Sequence, residues 1–224
     1  LSIIGISKLK VENSFINYFS KKTEIYKGMK LIDEKLGGTT PLEVILKFPD
    51  KKEEKLEEDD EFEDWGNEEK NDDKYWFTKD KIETISRIHN YLDNLPETGK
   101  VLSFSSIVDV ATQLNNNKPL GTLEMGVLYT KIPENIKTEI IDPYISIKDS
   151  EARISLRIID SQKDLKRNEL IKKINFDLQN EFGLKEDQYK LSGVMILFNN
   201  LLQSLFKSQI LTLGLVMLGI FGMF

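Results

Sequence analysis

The sequence predicts an α+β protein in which helices cover one face of an antiparallel or mixed sheet. Three observations lead to this prediction. Apolar residues recur at spacings of three and four in several segments, as they do in amphipathic helices. They alternate with polar residues over Ala152–Ile159, as in a half-buried strand. The chain of 224 residues is also long enough for one or two domains with a buried core.

The first three predicted elements are a strand, a helix and a strand. Leu1–Glu12 is rich in isoleucine and is predicted to be a strand. Thr23 suits a helix N-cap, and Gly37 supplies a left-handed residue at the helix end. Thr40–Phe48 is the next predicted strand. The apolar stripe of the helix consists of Ile25, Met29, Ile32 and Leu36.

A second helix is predicted between Thr78, its N-cap, and Pro96, which cannot continue a helix. The aromatic residues Tyr75, Trp76 and Phe77 precede it and are expected to dock the chain onto the core. The stripe of this helix consists of Ile82, Ile85, Ile88, Leu92 and Leu95.

The following segment is predicted to be short and mostly helical. Lys100–Phe104 is a predicted strand, and Ser105 is the predicted cap of a helix that ends near Leu114. Leu120–Ile141 is predicted to form two short helices divided at Pro133.

The last third predicts a hairpin, a helix and a strand. Tyr144–Lys148 and Ala152–Ile159 are the two arms of the hairpin. Ser161 and Asp164 match a capping box, and Tyr189–Leu197 is the final predicted strand. This order is that of half a βαββαβ unit, so two α+β sandwiches are expected. The stripe of the helix consists of Leu170 or Ile171, then Ile174, Leu178 and Phe182.

Composition excludes several functional classes. The net charge is −6, whereas a nucleic-acid-binding domain usually presents a basic face. The chain has no cysteine and one histidine, which excludes disulfides, thiol catalysis and Cys/His zinc sites.

Asp50–Lys74 is an acidic insertion. It holds fourteen acidic and five basic residues, a net charge of −9, and therefore leaves +3 for the rest of the chain. With so few apolar residues it is expected to be solvated and disordered. Calcium binding is the alternative, but the acidic residues lack the regular spacing around a glycine turn.

The C-terminal segment predicts contact with a membrane. Ser208–Phe224 contains no charged residue in 17 positions and is apolar on every face, which is typical of a membrane-spanning helix. A buried helix of a soluble domain is the alternative. Phe198–Lys207 is predicted to be an amphipathic helix in the membrane interface. Its membrane-interface residues are predicted to be Phe198, Leu201, Leu202, Leu205 and Phe206. Together with a start at Leu1, this predicts a piece of a longer membrane protein.

No catalytic constellation is apparent. The sequence has no G-x-S-x-G elbow, P-loop or G-x-G-x-x-G motif. His89 lies on a predicted helix without an evident partner, so a structural role is expected. Gly37 and Gly38 end a helix and are expected to be a C-cap rather than a phosphate cradle. One predicted helix is basic, and its charged side chains are expected to face solvent or anionic headgroups. Its basic residues are Lys163, Lys166, Arg167, Lys172 and Lys173. No enzyme activity, cofactor or metal is predicted.

Several segments carry a resemblance to a known family. They are Thr23–Met29, Ile32–Asp33, Leu36–Val44, Tyr75–Thr78, Leu95–Ser103, Leu191–Gly193 and Gln203–Ile210. Their combined order and spacing resemble the first extracytoplasmic domain of RND-superfamily exporters. The resemblance is to the bacterial branch related to hydrophobe/amphiphile exporters and sterol-sensing proteins. It covers nearly the whole chain except the acidic insertion, which departs from the family pattern.

The resemblance implies a fold and a function. Residues 1–197 would be an extracytoplasmic porter domain with two split-βαβ (ferredoxin-like) subdomains. Residues 198–224 would be the interfacial helix and a truncated membrane helix. The whole protein would use proton entry to export lipids or other amphiphiles from a bacterial inner membrane, with this domain on the periplasmic side. Its partners would be membrane lipids, the amphiphilic substrate, the remaining membrane helices and a second porter domain. A homo-oligomer is compatible with this scheme.

Two other functions without transport stay open. One is a membrane-anchored binding or sensor domain, which the sterol-sensing relatives suggest. The other is an accessory domain of protein translocation. A lipid exporter should bind amphiphiles, whereas a translocation accessory domain should bind unfolded chains.

Overall fold

The computed structural model describes residues 15–49, 76–118, 120–162 and 165–223. The strands are β1 (Thr40–Lys47), β2 (Thr98–Leu102), β3 (Ile145–Ser146), β4 (Glu151–Ile158) and β5 (Tyr189–Ser192). The helices are α1 (Glu24–Lys35), α2 (Lys79–Asp93), α3 (Phe104–Leu114), α4 (Thr122–Lys131), α5 (Arg167–Asn180) and α6 (Val194–Met223). A 3-10 turn spans Phe15–Tyr18, and a helical turn at Glu134–Ile136 continues into a π-helical turn at Lys137–Ile141.

All five strands of the described residues form one antiparallel sheet. The strand order is β2-β4-β1-β5, and β3 also pairs with β4. β1 pairs with β4 over its whole length, from Thr40 opposite Ile158 to Lys47 opposite Glu151. The units β1-α2-β2 and β4-α5-β5 therefore interleave, since each has a strand of the other between its own two strands. The predicted α+β class is confirmed.

The strands of the two chain halves were expected in two separate sandwiches. In the described residues they share one sheet instead. The division into two split-βαβ subdomains is therefore not confirmed and stays a prediction.

The core lies on one face of the sheet, beneath α2 and α5. The central strands contribute their alternate residues to it, and both helices contribute the stripe that the sequence predicts. The opposite face is polar, with Arg153 and Arg157 exposed and Glu43 3.8 Å from Arg153. The buried residues of this core include Leu42, Val44, Leu46, Ile154, Leu156 and Ile158 in the sheet, and Ile85, Ile88, Leu92, Leu170, Ile174 and Leu178 in the helices.

Two predicted helix caps are confirmed and one is corrected. Thr23 Oγ1 accepts a hydrogen bond from the backbone of α1, and Thr78 Oγ1 does so for α2. α3 is capped by Ser103, not Ser105, and the Ser103 N–H donates to Ser106 Oγ. Phe104, predicted as the last residue of a strand, is therefore the first residue of this helix.

Two further boundaries differ from the sequence-based prediction. α5 begins at Arg167, because the Ser161 N–H is engaged elsewhere in the fold, as described below. The final strand ends at Ser192, because Gly193 adopts a φ of +105° and turns the chain into α6.

Other predictions are confirmed where the structure describes them. The hairpin and the division of the short helices at Pro133 are present. Trp76 and Phe77 are buried, and the Trp76 indole N–H donates to Ser150 Oγ at 3.2 Å. The predicted strand Leu1–Glu12, Tyr75, the acidic insertion, Lys163, Asp164 and Phe224 lie outside the described residues.

Candidate functional site

The chain leaves the sheet for α6 at one end, which we term the proximal end. It comprises the start of β1 at Thr40, the end of β4 at Ile158 and the end of β5 at Ser192. The opposite, distal end carries Lys47 and Glu151. Phe48, just before the acidic insertion, and Trp76, just after it, also lie there. At that end the Phe48 and Trp76 ring centroids lie 5.8 Å apart.

The base of α6 is built into the proximal end. A Cβ on Gly193 would lie 2.8 Å from the Pro41 carbonyl oxygen, so only glycine allows this close approach of β5 and β1. Met195 in the first turn of α6 is fully buried in the core, and Asn199 is buried one turn later. α6 therefore starts as part of the domain rather than as a flexible attachment.

Beyond its base, α6 has the length and composition of a membrane helix. Its 30 residues include an 18-residue stretch with a mean hydropathy of 1.6, and the helix extends over about 45 Å, against a hydrocarbon thickness of about 30 Å. It is the one helix in the described part of the chain that is long and apolar enough to cross a bilayer. The apolar side chains from Ile210 to Met223 are exposed around the whole helix.

The five predicted membrane-interface residues lie on α6 itself. The expected separate interfacial helix and the apolar run form one continuous helix. Phe198, Leu202 and Phe206 are half-buried, whereas Leu201 and Leu205 are exposed. The Phe198 ring meets the Tyr18 ring edge-on, with 6.1 Å between centroids. Contact of these residues with a membrane stays a prediction.

A buried carboxylate ties α1 to the proximal end. Asp33 is the buried residue of α1. Its Oδ1 accepts from Thr39 Oγ1 at 2.7 Å and from the Asp160 N–H at 2.9 Å. Its Oδ2 accepts from the Ser161 N–H at 2.7 Å. One side chain thus connects α1, the turn before β1 and the end of β4.

A buried ion pair extends this connection to the chain that enters the domain. Arg167 donates to Asp160 Oδ1, and both side chains are buried. Asp160 Oδ2 accepts from the Ile16 N–H at 3.3 Å. The solvated position expected for Arg167 is therefore wrong, because this guanidinium offsets the buried charge of Asp160. We term Asp33, Asp160 and Arg167 the proximal polar cluster.

The hydrogen bonds determine the charge state of Asp33. Burial by itself raises the pKa of this carboxyl, but the bonds from Thr39, Ser161 and Asp160 more than offset it, so the pKa lies below its ordinary value of 3.8. Asp33 is therefore ionised at neutral pH. Sequence reasoning missed this cluster, because Asp33 follows Ile32 in a helix whose apolar stripe was expected to face the core.

A small apolar cavity lies between α3, α4 and the π-helical turn. Its volume is about 20 Å³, room for about one water molecule. The ammonium of Lys137 lies beside it, 4.6 Å from the centroid of the Tyr129 ring and 2.9 Å from Glu134. The cavity is lined by Phe77, Phe104, Ile107, Ala111, Met125, Tyr129, Ile132 and Ile141.

The single histidine has a structural environment. His89 Nδ1 lies 2.9 Å from Ser103 Oγ, which caps α3. Burial lowers the pKa of His89, against the opposing charges of Asp93 and Asp109, so the ring is neutral at pH 7. The described residues contain no group of three or more side chains placed to hold a metal ion.

Gly37 and Gly38 form the predicted C-terminal turn of α1. Their φ angles are +81° and +93°, and the Gly38 N–H donates to the Asp33 carbonyl at 3.0 Å. A Cβ on Gly38 would lie 2.5 Å from the Ile158 carbonyl oxygen, so this turn packs directly on the proximal end.

Comparison with known proteins assigns the chain to no family. The chain matches no protein-family model, no curated protein and no solved structure. Its resemblance to RND exporters therefore rests on the sequence segments named above.

Proposed function

We propose that this chain is a periplasmic domain of a proton-driven RND-type exporter that moves lipids or other amphiphiles out of a bacterial inner membrane. The motif resemblance supports the family. The observation that carries the proposal is the base of α6, where an apolar helix of membrane length emerges from the core of a compact domain. No enzymatic activity is part of this proposal.

The base of α6 suits the transmission of movement between membrane and domain. Met195 is packed in the core and Gly193 lies directly against β1. A shift or tilt of α6 in the bilayer therefore displaces β5 and β1 with it. Such rigid-body motion is a usual way in which a small displacement at one site opens or closes another. In this proposal the interleaved sheet is one porter subdomain, which moves against the rest of the exporter.

The apolar cavity is the proposed contact for the apolar part of the substrate. Its size in this structure admits no lipid chain, so entry requires α3 and α4 to separate. Lys137 at its edge is paired with Glu134, so an anionic headgroup of the substrate would compete with that carboxylate for the ammonium. The exposed Val110 and Leu114 extend the apolar surface of α3 outward from the cavity.

A transport assay with a cavity-filling variant tests this proposal. The complete exporter would be reconstituted in vesicles with a fluorescent anionic phospholipid and an imposed proton gradient. Ala111→Leu extends a side chain into the cavity, whereas Gln113→Leu places the same side chain on an exposed part of α3. We expect export to fall by about tenfold in the first variant and to stay near wild type in the second. Equal export by both variants would remove the cavity from the path.

A membrane-anchored binding or sensor domain is the second candidate. The observation in its favour is that the described residues contain one helix of membrane length. The sequence of the encoding gene on both sides of the chain distinguishes the two functions. A second domain of this type with several membrane helices supports the exporter. A gene that encodes one anchoring helix and no second domain would overturn it.

A further inference from the structure

The apolar stripe of α1 faces outward. The sequence predicted that Ile25, Met29, Ile32 and Leu36 cover the core. In the structure Ile25, Ile32 and Leu36 are 57%, 40% and 61% exposed, whereas Met29 is half-buried. Asp33 is the buried residue of the helix. An amphipathic helix held to its domain by a polar residue, with its stripe uncovered, is unusual for a surface helix of a globular protein. The stripe therefore lacks a partner within the described residues.

The position of α1 points to the membrane. Asp33 holds the helix at the proximal end, where α6 leaves the domain. Just before α1, the Tyr18 ring contacts Phe198 at the base of α6. Lys207, the last charge before the apolar run, lies nine residues beyond Phe198, about 14 Å along the helix. A tilt of α6 shortens this distance to the bilayer further.

The charges around α1 suit an anionic surface. The segment from Ser20 to Leu36 carries five lysines, two exposed glutamates and the buried Asp33, so its exposed charge is +3. The exposed glutamates, Glu24 and Glu34, each form a pair with a neighbouring lysine. A helix with a narrow apolar stripe and lysine-rich flanks is typical of helices that lie in the membrane interface. The lysines are Lys21, Lys22, Lys27, Lys30 and Lys35.

We propose that α1 docks on the surface of the bilayer that α6 enters, with Ile25, Ile32 and Leu36 among the lipid headgroups. The occupant of the stripe is thus an anionic lipid surface. The proposal rests on the proposed function in one respect, since it requires α6 to lie in a membrane. Docked in this way, α1 and α6 together hold the proximal end of the sheet at the bilayer at two points.

Single-cysteine labelling tests this contact in the full chain. The chain has no cysteine, so each introduced cysteine carries the only label. The chain would be reconstituted in phosphatidylcholine vesicles with phosphatidylglycerol, and labelled with the environment-sensitive fluorophore NBD. Ile32→Cys probes the stripe. Leu211→Cys probes the apolar run, and Lys148→Cys, exposed in the turn between β3 and β4 at the distal end, is the control away from the proximal end.

The three positions separate the possible outcomes. We expect nitroxide-labelled lipids to quench roughly half or more of the emission at positions 32 and 211, and little at position 148. Quenching at position 211 without quenching at 32 overturns the docking of α1 and leaves the proposed function intact. Absence of quenching at 211 overturns both. A blue-shifted label at position 32 that lipids do not quench, and whose shift grows with protein concentration, would indicate that a second copy covers the stripe and would overturn membrane docking.

Discussion

Replacement of Asp33 by asparagine should destabilise the domain far more than its small change in shape suggests. The aspartate accepts three hydrogen bonds and donates none. In Asp33→Asn an amide NH₂ group replaces one carboxylate oxygen. Whichever way the amide turns, its donors face at least one N–H or O–H group that was previously bonded. The change therefore leaves a buried donor without an acceptor and removes the charge from the remaining bonds.

The size of the effect follows from the number and type of these bonds. A hydrogen bond to a charged group contributes about 1.5–3 kcal/mol, and an unsatisfied buried donor costs about 1–3 kcal/mol. Relaxation of the loop at Ser161 recovers part of the loss. We expect the free energy of unfolding to fall by about 2–4 kcal/mol in Asp33→Asn.

Glu34→Gln provides the matched control. It removes one negative charge at the next position of α1, where Glu34 is exposed and lies 3.6 Å from Lys30. An exposed pair of this kind contributes about 0–1 kcal/mol. Urea-induced unfolding in mild detergent, followed by the fluorescence of Trp76 in a Trp65→Phe background, measures both variants. A loss in Asp33→Asn no larger than that in Glu34→Gln would refute the role assigned to the Asp33 bonds.

The comparison of wild type with Asp33→Asn should also depend on pH, and the sign of this dependence follows from the pKa of Asp33. The folded protein holds the pKa of Asp33 below its ordinary value of 3.8. Stabilisation by the carboxylate is therefore complete above about pH 5 and is lost as the pH falls through the folded pKa. The difference in stability between wild type and Asp33→Asn should be constant from about pH 5 to 7 and should shrink below about pH 4. A difference that grows on acidification would contradict the assigned sign.

Three other predictions concern single contacts. The folded pKa of His89 lies below its ordinary value of 6.5, so the free energy of unfolding should decrease on acidification below about pH 6.5 in wild type, and this decrease should be absent in His89→Gln. Gly193→Ala should cost about 3 kcal/mol or more, because the new Cβ meets a carbonyl oxygen at 2.8 Å. Gly183→Ala, at a φ of +69° with open space around it, should cost only about 1–2 kcal/mol in the same unfolding assay. The Tyr91 hydroxyl donates to Asp177. Burial, together with this hydrogen bond, raises the pKa of Tyr91 well above its usual range. Tyr91→Phe should therefore cost about 1–3 kcal/mol, and a variant as stable as wild type at pH 7 would show that the bond is dispensable.

Helix positions followed from the sequence because their signals are local. Thr23 and Thr78 cap their helices as predicted, since a side-chain oxygen and a backbone N–H three residues away are enough to make a cap. The predicted cap at Ser105 was wrong by two residues. Three neighbouring serines offer similar oxygens. The Ser105 hydroxyl donates to Ser86 Oγ on α2, and this contact between two helices leaves Ser103 to cap α3.

The assembly of the sheet did not follow from the sequence. Alternation over β4 showed correctly which residues are buried, because side chains of a strand point to opposite faces in turn. It carries no information on which strand lies alongside. β1 and β4 pair although more than one hundred residues separate them, so strands expected in two sandwiches share one sheet.

The proximal polar cluster and the stripe of α1 show the same difference between what the local sequence determines and what the tertiary structure determines. Local chemistry alone determined that residues 24–35 form an amphipathic helix and that residues 208–223 are apolar on every face. Only the tertiary structure decided which side of α1 meets the domain. Asp33 accepts one hydrogen bond from nearby Thr39 and two from Asp160 and Ser161, which lie 127 and 128 residues further along the chain. These bonds hold that side of α1 inward and leave Ile25, Ile32 and Leu36 outside. The physical reason is that a helical pattern specifies which residues share a face, whereas the partner of that face is chosen by groups that meet only when the chain has folded.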